Sequence, residues 1–308
     1  MKVLVTGGAG FIGSHVADGL LGAGHEVTVL DDLSSGKREQ VPQAARFVHA
    51  DIRSEAAAKL IRDERFDAVV HQAAQIDVRK SVTDPRFDAD VNLSGLLNLL
   101  EASTSAGVKR FLFASSGGAC YGEQETYPAP ESHPSRPVSP YGVSKAAGEL
   151  YLGYYAAEKK LSYCALRYAN VYGPRQDPMG EAGVVAIFSG RCLAGSTCTI
   201  YGDGRQTRDY VYVGDVARAN LLALTSDFVG PINIGTGVET DVVELHRRIA
   251  EATCSGQGPQ FAAPRAGEQR RSCIDPAKAA QVLGWRPEVS LEEGISRTAA
   301  FFRERLAA

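Results

Sequence analysis

The sequence has no large excess of charge of either sign. Thirty-three Lys and Arg face 36 Asp and Glu, giving a net charge of −3, so the basic footprint of a nucleic-acid binder is missing and no nucleic-acid partner is expected. Six cysteines occur, at 120, 164, 192, 198, 254 and 273, with no CxxC pair and no His-rich cluster beside them. No zinc motif is legible and no metal is expected. Six thiols in 308 residues are too sparse for a disulfide scaffold and fit reduced cysteines in the cytoplasm. No apolar run reaches bilayer length. The longest uncharged stretch, Val3 to Ala17, is broken by Gly7, Gly8, Gly10 and Gly13, so no membrane association is expected. No leader pattern is legible, because Met1 and Lys2 run straight into a strand-like segment. Internal repeats and low-complexity tracts are missing too.

What is present is an alternation of strand-like and helix-like runs. The strand-like runs are Lys2–Thr6, Glu26–Leu30, Arg46–His49, Asp67–His71, Arg110–Ala114 and Ser162–Tyr168, and most are continuous apolar segments. Helical patterns at Phe11–Gly22, Glu55–Asp63, Phe87–Ala106 and Tyr141–Lys160 separate them. Strands alternating with helices imply right-handed crossovers and a parallel, doubly wound α/β sheet covered on both faces. After about residue 172 the alternation breaks into short pieces such as Thr197–Tyr201 and Tyr210–Val213. This reads as a smaller α/β lobe with segments returning to the sheet. The Pro-rich stretch 127–140 is the most loop-like segment of the chain, long enough to suggest a functional loop.

Two motifs carry chemistry. The first is GGAGFIG at 7–13, with Gly7, Gly10 and Gly13 in GxxGxxG spacing between the first strand and the first helix. A turn without side chains lets the backbone approach a pyrophosphate, and the helix N-terminus offers free N–H groups and the positive end of its dipole. Asp31 and Asp32 follow the second strand, where a carboxylate bonds ribose hydroxyls and repels a 2′-phosphate. That selects NAD over NADP. Asp51 and Ile52, after the third strand, are placed to bracket an adenine. The second motif is YGVSK at 141–145, which opens a long helix. Its i, i+4 spacing puts a phenol and an ammonium on one face. A neighbouring Lys145 cation and a cationic nicotinamide favour the phenolate of Tyr141, which then takes a proton from a hydroxyl. Ser115 and Ser116, at the carboxyl end of the fifth strand, both qualify to bond the reacting oxygen, and spacing favours Ser116. His71, at a strand end, reads as structural.

These residues carry a family resemblance. The chain resembles the extended short-chain dehydrogenases/reductases, and within them the nucleotide-sugar branch of the UDP-glucose 4-epimerase family. The match runs nearly end to end: GGAGFIG, LDDLSSG, HQAAQ (71–75), VNLSG, SSGGACYG, YGVSK, RYANVYGPRQ (167–176), GDGRQTRDYVYVGDVA (202–217), NIGTG (233–237), PRAGE (264–268) and LGWRP (283–287). The resemblance implies an NAD-binding unit over 1–171 with a returning segment near 207–236, and a nucleotide-sugar lobe over 172–206 and 237–308. It places Phe11, Ile12, Ser35, Gly36, Gln72, Ala73, Ala74, Gln75 and Tyr168 along the cofactor, and has Asn92 steady the helix of the dyad. Lys145 would hold the nicotinamide ribose. Asn170, Arg208 and Arg265 would meet the nucleotide-sugar phosphates, Glu268 its ribose, and Val184, Ile187, Ile200 and Tyr201 would wall the uracil.

The implied reaction is NAD-dependent 4-epimerisation of a UDP-hexose through a transient 4-keto sugar, with Tyr141, Lys145 and Ser116 catalytic. Dehydratases of this superfamily carry an Asp-Glu pair where this chain has Gly117 and Gly118, and decarboxylases a Glu. Neither glycine can transfer a proton. The small Ser272, where related epimerases that take plain hexoses carry a Tyr, implies room for N-acetyl groups, hence UDP-GlcNAc and UDP-GalNAc. Arg270 and Arg271 beside it keep open a uronic acid carboxylate and thus a UDP-glucuronate 4-epimerase, decarboxylase or reductase. Pairing of the helices at Phe87–Ala106 and Tyr141–Lys160 would make a homodimer, again by resemblance.

Overall fold

The computed structural model describes residues 1–178, 183–264 and 269–307. The first half follows the expected alternation: β1 (Lys2–Thr6), α1 (Phe11–Gly22), β2 (Glu26–Asp31), β3 (Arg46–His49), α2 (Glu55–Glu64), β4 (Ala68–His71), short helices α3 (Val78–Thr83) and α4 (Pro85–Ala89), α5 (Gly95–Ala106), β5 (Arg110–Ser116), the one-turn α6 (Gly117–Tyr121), α7 (Pro140–Lys159) and β6 (Ser162–Tyr168). The long helix expected from Phe87 is α4 and α5 joined through a π-turn over Asp90–Ser94. The second half contains β7 (Asn170–Tyr172), α8 (Val184–Leu193), β8 (Thr199–Tyr201), β9 (Thr207–Tyr212), α9 (Val213–Thr225), β10 (Gly230–Ile234), β11 (Glu239–Asp241), α10 (Val242–Thr253), β12 (Gln260–Ala262), β13 (Arg271–Ser272), α11 (Ala277–Val282) and α12 (Leu291–Ala307).

Local chemistry explains the boundaries. The Ser139 hydroxyl caps α7 by accepting from the Gly142 amide at 3.1 Å, with Pro140 at the first helical position. Ser54 and Asp241 cap α2 and α10 in the same way. Among the described residues a seven-stranded parallel sheet runs in the order β10-β6-β5-β4-β1-β2-β3. One face buries Val3, Val5, Val16, Leu20, Val216 and Ile232 against α1 and α9; the other buries Leu4, Val69, Leu96, Leu99 and Phe111 against α2, α5 and α7. The order reverses beside β1, and such a switch point, at the carboxyl ends of the strands, opens a ligand crevice.

The returning segment divides between two sheets. Its first strand, β9, belongs to a small sheet with β7, β11 and β13, whereas β10 joins the large sheet beside β6. Helix α9 between them packs on α1. No helix among the described residues is long and apolar enough to cross a membrane.

Asp209 ties the two sheets together. Its carboxylate, 1% exposed, accepts from the Thr236 amide at 2.9 Å, the Thr236 hydroxyl at 2.6 Å and the Gly237 amide at 3.1 Å. Burial pushes this carboxyl above its ordinary pKa, and the bonds to Thr236 and Gly237 pull it back. Replacing Asp209→Ala leaves those half-buried donors without their acceptor, so urea unfolding should show a loss of about 1–3 kcal/mol, with most of the fold otherwise intact.

Candidate functional site

The turn after β1 is shaped by what it lacks. Gly7 has φ +70°, and a Cβ there would lie 2.5 Å from the Ala73 amide nitrogen. A Cβ on Gly13 would lie 2.1 Å from the Gly7 carbonyl oxygen. Gly10 is the N-cap of α1 and supplies no side-chain cap, so the helix presents its first-turn amides uncapped. Phe11 and Ile12, on that first turn, pack against the apolar core of the smaller lobe. Asp31 closes the cradle from the end of β2: its carboxylate accepts from Ala9 at 3.0 Å and Leu33 at 2.8 Å, and burial raises its pKa. Gly36 comes so near that a Cβ would stand 2.9 Å from an Asp31 carboxylate oxygen. Asp32 and Ser35 are exposed beside it, with Asp32 accepting from Ser34. A bare turn, an uncapped helix and acidic groups after the next strand fit a dinucleotide.

Other expected cofactor contacts are differently employed. Asp51 spends its carboxylate on Arg53, which also reaches Asp90; the Arg53 bond holds Asp51 below its usual range. The Ile52 side chain is buried in the core against Gly95, so it is not placed to touch an adenine from the crevice. Gln75 and Asn92 bond one another through side chain and backbone, and both donate to Asp88 at 2.9 and 3.1 Å. That network joins α4 and the π-turn to the segment after β4. The Gln72 side chain and the Tyr168 hydroxyl meet Asn220. Ala73 abuts Gly7, and Ala74 is half-buried beside it. His71 is buried, with Nδ1 at 2.7 Å from the Thr6 hydroxyl, and burial drives it down to about 3. It is neutral and structural.

The dyad lies on α7, which is held by two carboxylates the sequence reading overlooked, Glu149 joining it to the sheet and Asp88 joining it to α4. Asp88 accepts from the Ser144 hydroxyl at 2.6 Å. Glu149 accepts from Ser115 at 2.5 Å and from Arg167 at 2.5 and 2.9 Å. Between these anchors Lys145 donates to the Ala114 carbonyl at 2.8 Å and sits 5.7 Å from the centre of the Tyr141 ring. Burial lowers Lys145 to about 8. Burial also raises Tyr141 above its ordinary value, reinforced by Cys120 and Asp88. The expected depression of the phenol by Lys145 is therefore not what the polypeptide alone produces; desolvation wins. Ser115 faces away into the Glu149 network, whereas Ser116 is half-buried at the end of β5 and caps α6, accepting from Ala119 at 3.4 Å. That geometry separates two serines the sequence left open.

The smaller lobe brings Asn170 and Arg208 onto paired strands, β7 and β9, and carries Tyr201 on β8 in a separate two-stranded sheet with β12. Asn170 is exposed at the start of β7, and Arg208 is opposite Ser272 across β9 and β13. Tyr201 lines a cavity of about 590 Å³ with Gly202, Gln206 and Pro264. Ile200 is 1% exposed, in the lobe core, because the strand alternates; its side chain cannot wall a ligand. Val184 and Ile187 are half-buried on α8. Arg265 and Glu268 lie outside the described residues. Ser272 is buried with its hydroxyl 2.9 Å from where a Gly118 Cβ would stand, so two small residues meet next to Ser116. Arg270 pairs with Asp203 at 2.7 and 2.9 Å, and Arg271 with Glu239. Both arginines already have a carboxylate partner, which removes the motive for a uronic acid.

A family model described as the NAD dependent epimerase/dehydratase family matches residues 3–235. A UDP-glucose 4-epimerase of Mycolicibacterium smegmatis is 49% identical over 99% of both chains. A UDP-glucose 4-epimerase of Thermotoga maritima, solved with UDP-glucose, superposes with a TM-score of 0.97 at 50% identity over 99% of this chain and 100% of that one. One from Thermus thermophilus, solved with NAD, gives 0.93 at 51% identity, covering 98% and 99%. The glycine turn is the feature most easily tested. A Gly13→Ala protein, whose new methyl must displace the Gly7 carbonyl, should retain less than roughly a tenth of the bound dinucleotide of the parent, a loss exceeding about 1.4 kcal/mol, measured by quantifying nucleotide released on denaturation.

Proposed function

The chain belongs to the NAD dependent epimerase/dehydratase family, and from that premise we propose that it is an NAD-dependent UDP-glucose 4-epimerase, interconverting UDP-glucose and UDP-galactose. The observation that carries the reading is the pairing of an intact Tyr141–Lys145 dyad with glycines at 117 and 118. The dyad removes a hydroxyl proton, and no acid at the glycines diverts the keto sugar to loss of water.

In the proposed reaction Tyr141 takes the C4 hydroxyl proton while Ser116 hydrogen-bonds O4. The bound nicotinamide supplies a hydride acceptor that also gives the hydride back, so no reductant is consumed. Lys145, fixed by the Ala114 carbonyl, holds the cofactor ribose and a positive charge near the phenol. The 4-keto sugar turns over about its diphosphate tether and is reprotonated by Tyr141 after reduction on its other face. Asn170, Arg208 and Arg265 hold the diphosphate, Glu268 the uridine ribose, and Tyr201 and Val184 the uracil. Binding energy from this remote nucleotide retains the intermediate while the ring rotates. Asp31, Asp32, Ser35 and Gly36 take the adenosine ribose, and the amides of Phe11, Ile12 and Gly13 the pyrophosphate.

The same reading assigns residues 1–171 and 207–236 to cofactor binding and residues 172–206 and 237–308 to the nucleotide-sugar. A homodimer is supported by α7, whose outer face exposes Val143, Leu150, Tyr151 and Tyr154 at 51, 78, 41 and 53%. Such apolar stripes are covered by partner helices. A cytoplasmic setting is supported by the cysteines, which are free among the described residues.

UDP-galactose should be converted to UDP-glucose with no added reductant, and the purified protein should release about one NAD per chain. A strict need for stoichiometric NAD(P)H, or a product of altered mass, refutes the reading. Tyr141→Phe should lower kcat by about 10²–10⁴-fold with NAD still bound; unchanged turnover would remove Tyr141 from the chemistry. The small Gly118–Ser272 corner supports acceptance of UDP-GlcNAc and UDP-GalNAc as well. Ser272→Tyr should abolish N-acetyl turnover while sparing the hexoses, and equal loss of both substrates refutes that assignment.

A further inference from the structure

Outside the crevice, three metal-ligating side chains from distant parts of the sequence meet in the smaller lobe. Cys192 lies at the C-terminal end of α8, Cys198 immediately precedes β8, and His246 is on the second turn of α10. Their ligand atoms all fall within 4.8 Å of one another, and all three residues are buried. The two sulfurs are 3.6 Å apart. His246 is 5% exposed, and its Nε2 atom is buried with no hydrogen-bond partner. Its ring stacks edge-on against Phe188 of α8. A ring nitrogen buried without a partner forgoes the hydrogen bond that water would give it, so this arrangement calls for a further ligand.

We propose that Cys192, Cys198 and His246 form a binding site for a thiophilic divalent cation, zinc(II), with a water molecule in the fourth position. Two thiolates and an imidazole are the ligands zinc selects, and a set without carboxylates disfavours magnesium and calcium. The spacing agrees. Sulfurs at about 2.3 Å from a tetrahedral ion stand about 3.8 Å apart, close to the 3.6 Å seen. Moving the imidazole inward by about an ångström would complete a site with metal–nitrogen distances of about 2.0–2.1 Å. The cysteines are not in CxxC spacing and the histidine comes from another helix, which is why no motif betrays the set.

The ion would join the end of α8 to the start of β8 and to α10. Cys198 leads directly into the strand that presents Tyr201, so the metal is a staple for the smaller lobe rather than a participant in proton or hydride movement.

Cobalt(II) is the probe. The full-length protein, reduced, treated with chelator and desalted, should take up one cobalt per chain. A thiolate-to-cobalt charge-transfer band and the intense visible bands of a four-coordinate ion should appear, and zinc should bleach both. Cys192→Ser and His246→Gln should each weaken cobalt binding by more than about 100-fold, beyond the loss that follows removal of an outer partner of a ligand, while Cys254→Ser, at an exposed thiol, should change nothing. Zinc should also raise the midpoint of thermal unfolding of the parent but not of His246→Gln. If the reduced parent shows no charge-transfer band, the proposal is wrong whatever the variants do. It is equally wrong if the band persists undiminished in Cys192→Ser at the cobalt concentration that just saturates the parent, or if mass spectrometry finds a Cys192–Cys198 disulfide whose reduction restores no metal uptake.

Discussion

The site depends on how α7 is fastened to the sheet. Two buried carboxylates hold the helix, one to the sheet and one to α4. Glu149 bonds Ser115 on β5 and Arg167 on β6, and Asp88 bonds Ser144 of α7 together with Asn92 and Gln75. A buried ion pair contributes little net stability, but removing one partner leaves an uncompensated charge, so the geometry is steeply determined. Lys145 is thereby held against the Ala114 carbonyl of β5, with the centre of the Tyr141 ring 5.7 Å from its ammonium. The π-turn at Asp90–Ser94 belongs to the same device, because it carries Asn92 into the Asp88 network. Such insertions often mark functional positions.

Electrostatics of the dyad follow from that burial. Desolvation lowers Lys145 to about 8 and raises Tyr141, so the polypeptide by itself does not favour the phenolate–ammonium pair. Each charge is disfavoured in the interior unless another charge enters with it. Within the proposed function, the phenolate awaits the loaded site, which is an economical way to keep a base inactive until cofactor and sugar are both in place. The neutral His71 nearby adds no competing charge.

The two halves of the molecule share their boundaries. Phe11 and Ile12 leave the glycine turn and pack into the smaller lobe, α9 returns to cover α1, and Asp209 bonds the turn after β10 from the small sheet. The smaller lobe is therefore registered to the glycine turn through packed side chains rather than through a flexible linker, which is what the proposed function requires of a lobe that holds the nucleotide-sugar. The Cys192–Cys198–His246 cluster is buried in that lobe where α8, the start of β8 and α10 meet, and there it bears on lobe rigidity rather than on the reaction.

Sequence alone determined the parallel α/β architecture, because apolar β-branched runs and helical periodicities are local patterns with different repeats. It also determined the glycine turn and the Tyr141–Lys145 pair, each a short motif whose spacing carries its geometry. Tertiary structure alone decided which strand-end residues face the crevice. Ile200 and Ile52 turned into cores, Gln75 and Asn92 into a hydrogen-bond network, and Arg270 and Arg271 onto Asp203 and Glu239. It likewise separated Ser115 from Ser116 and gathered two cysteines and a histidine from three elements. The physical reason is the same in each case: direction and partnership are set by neighbours distant in the chain, and a buried polar group goes to whichever of them satisfies it.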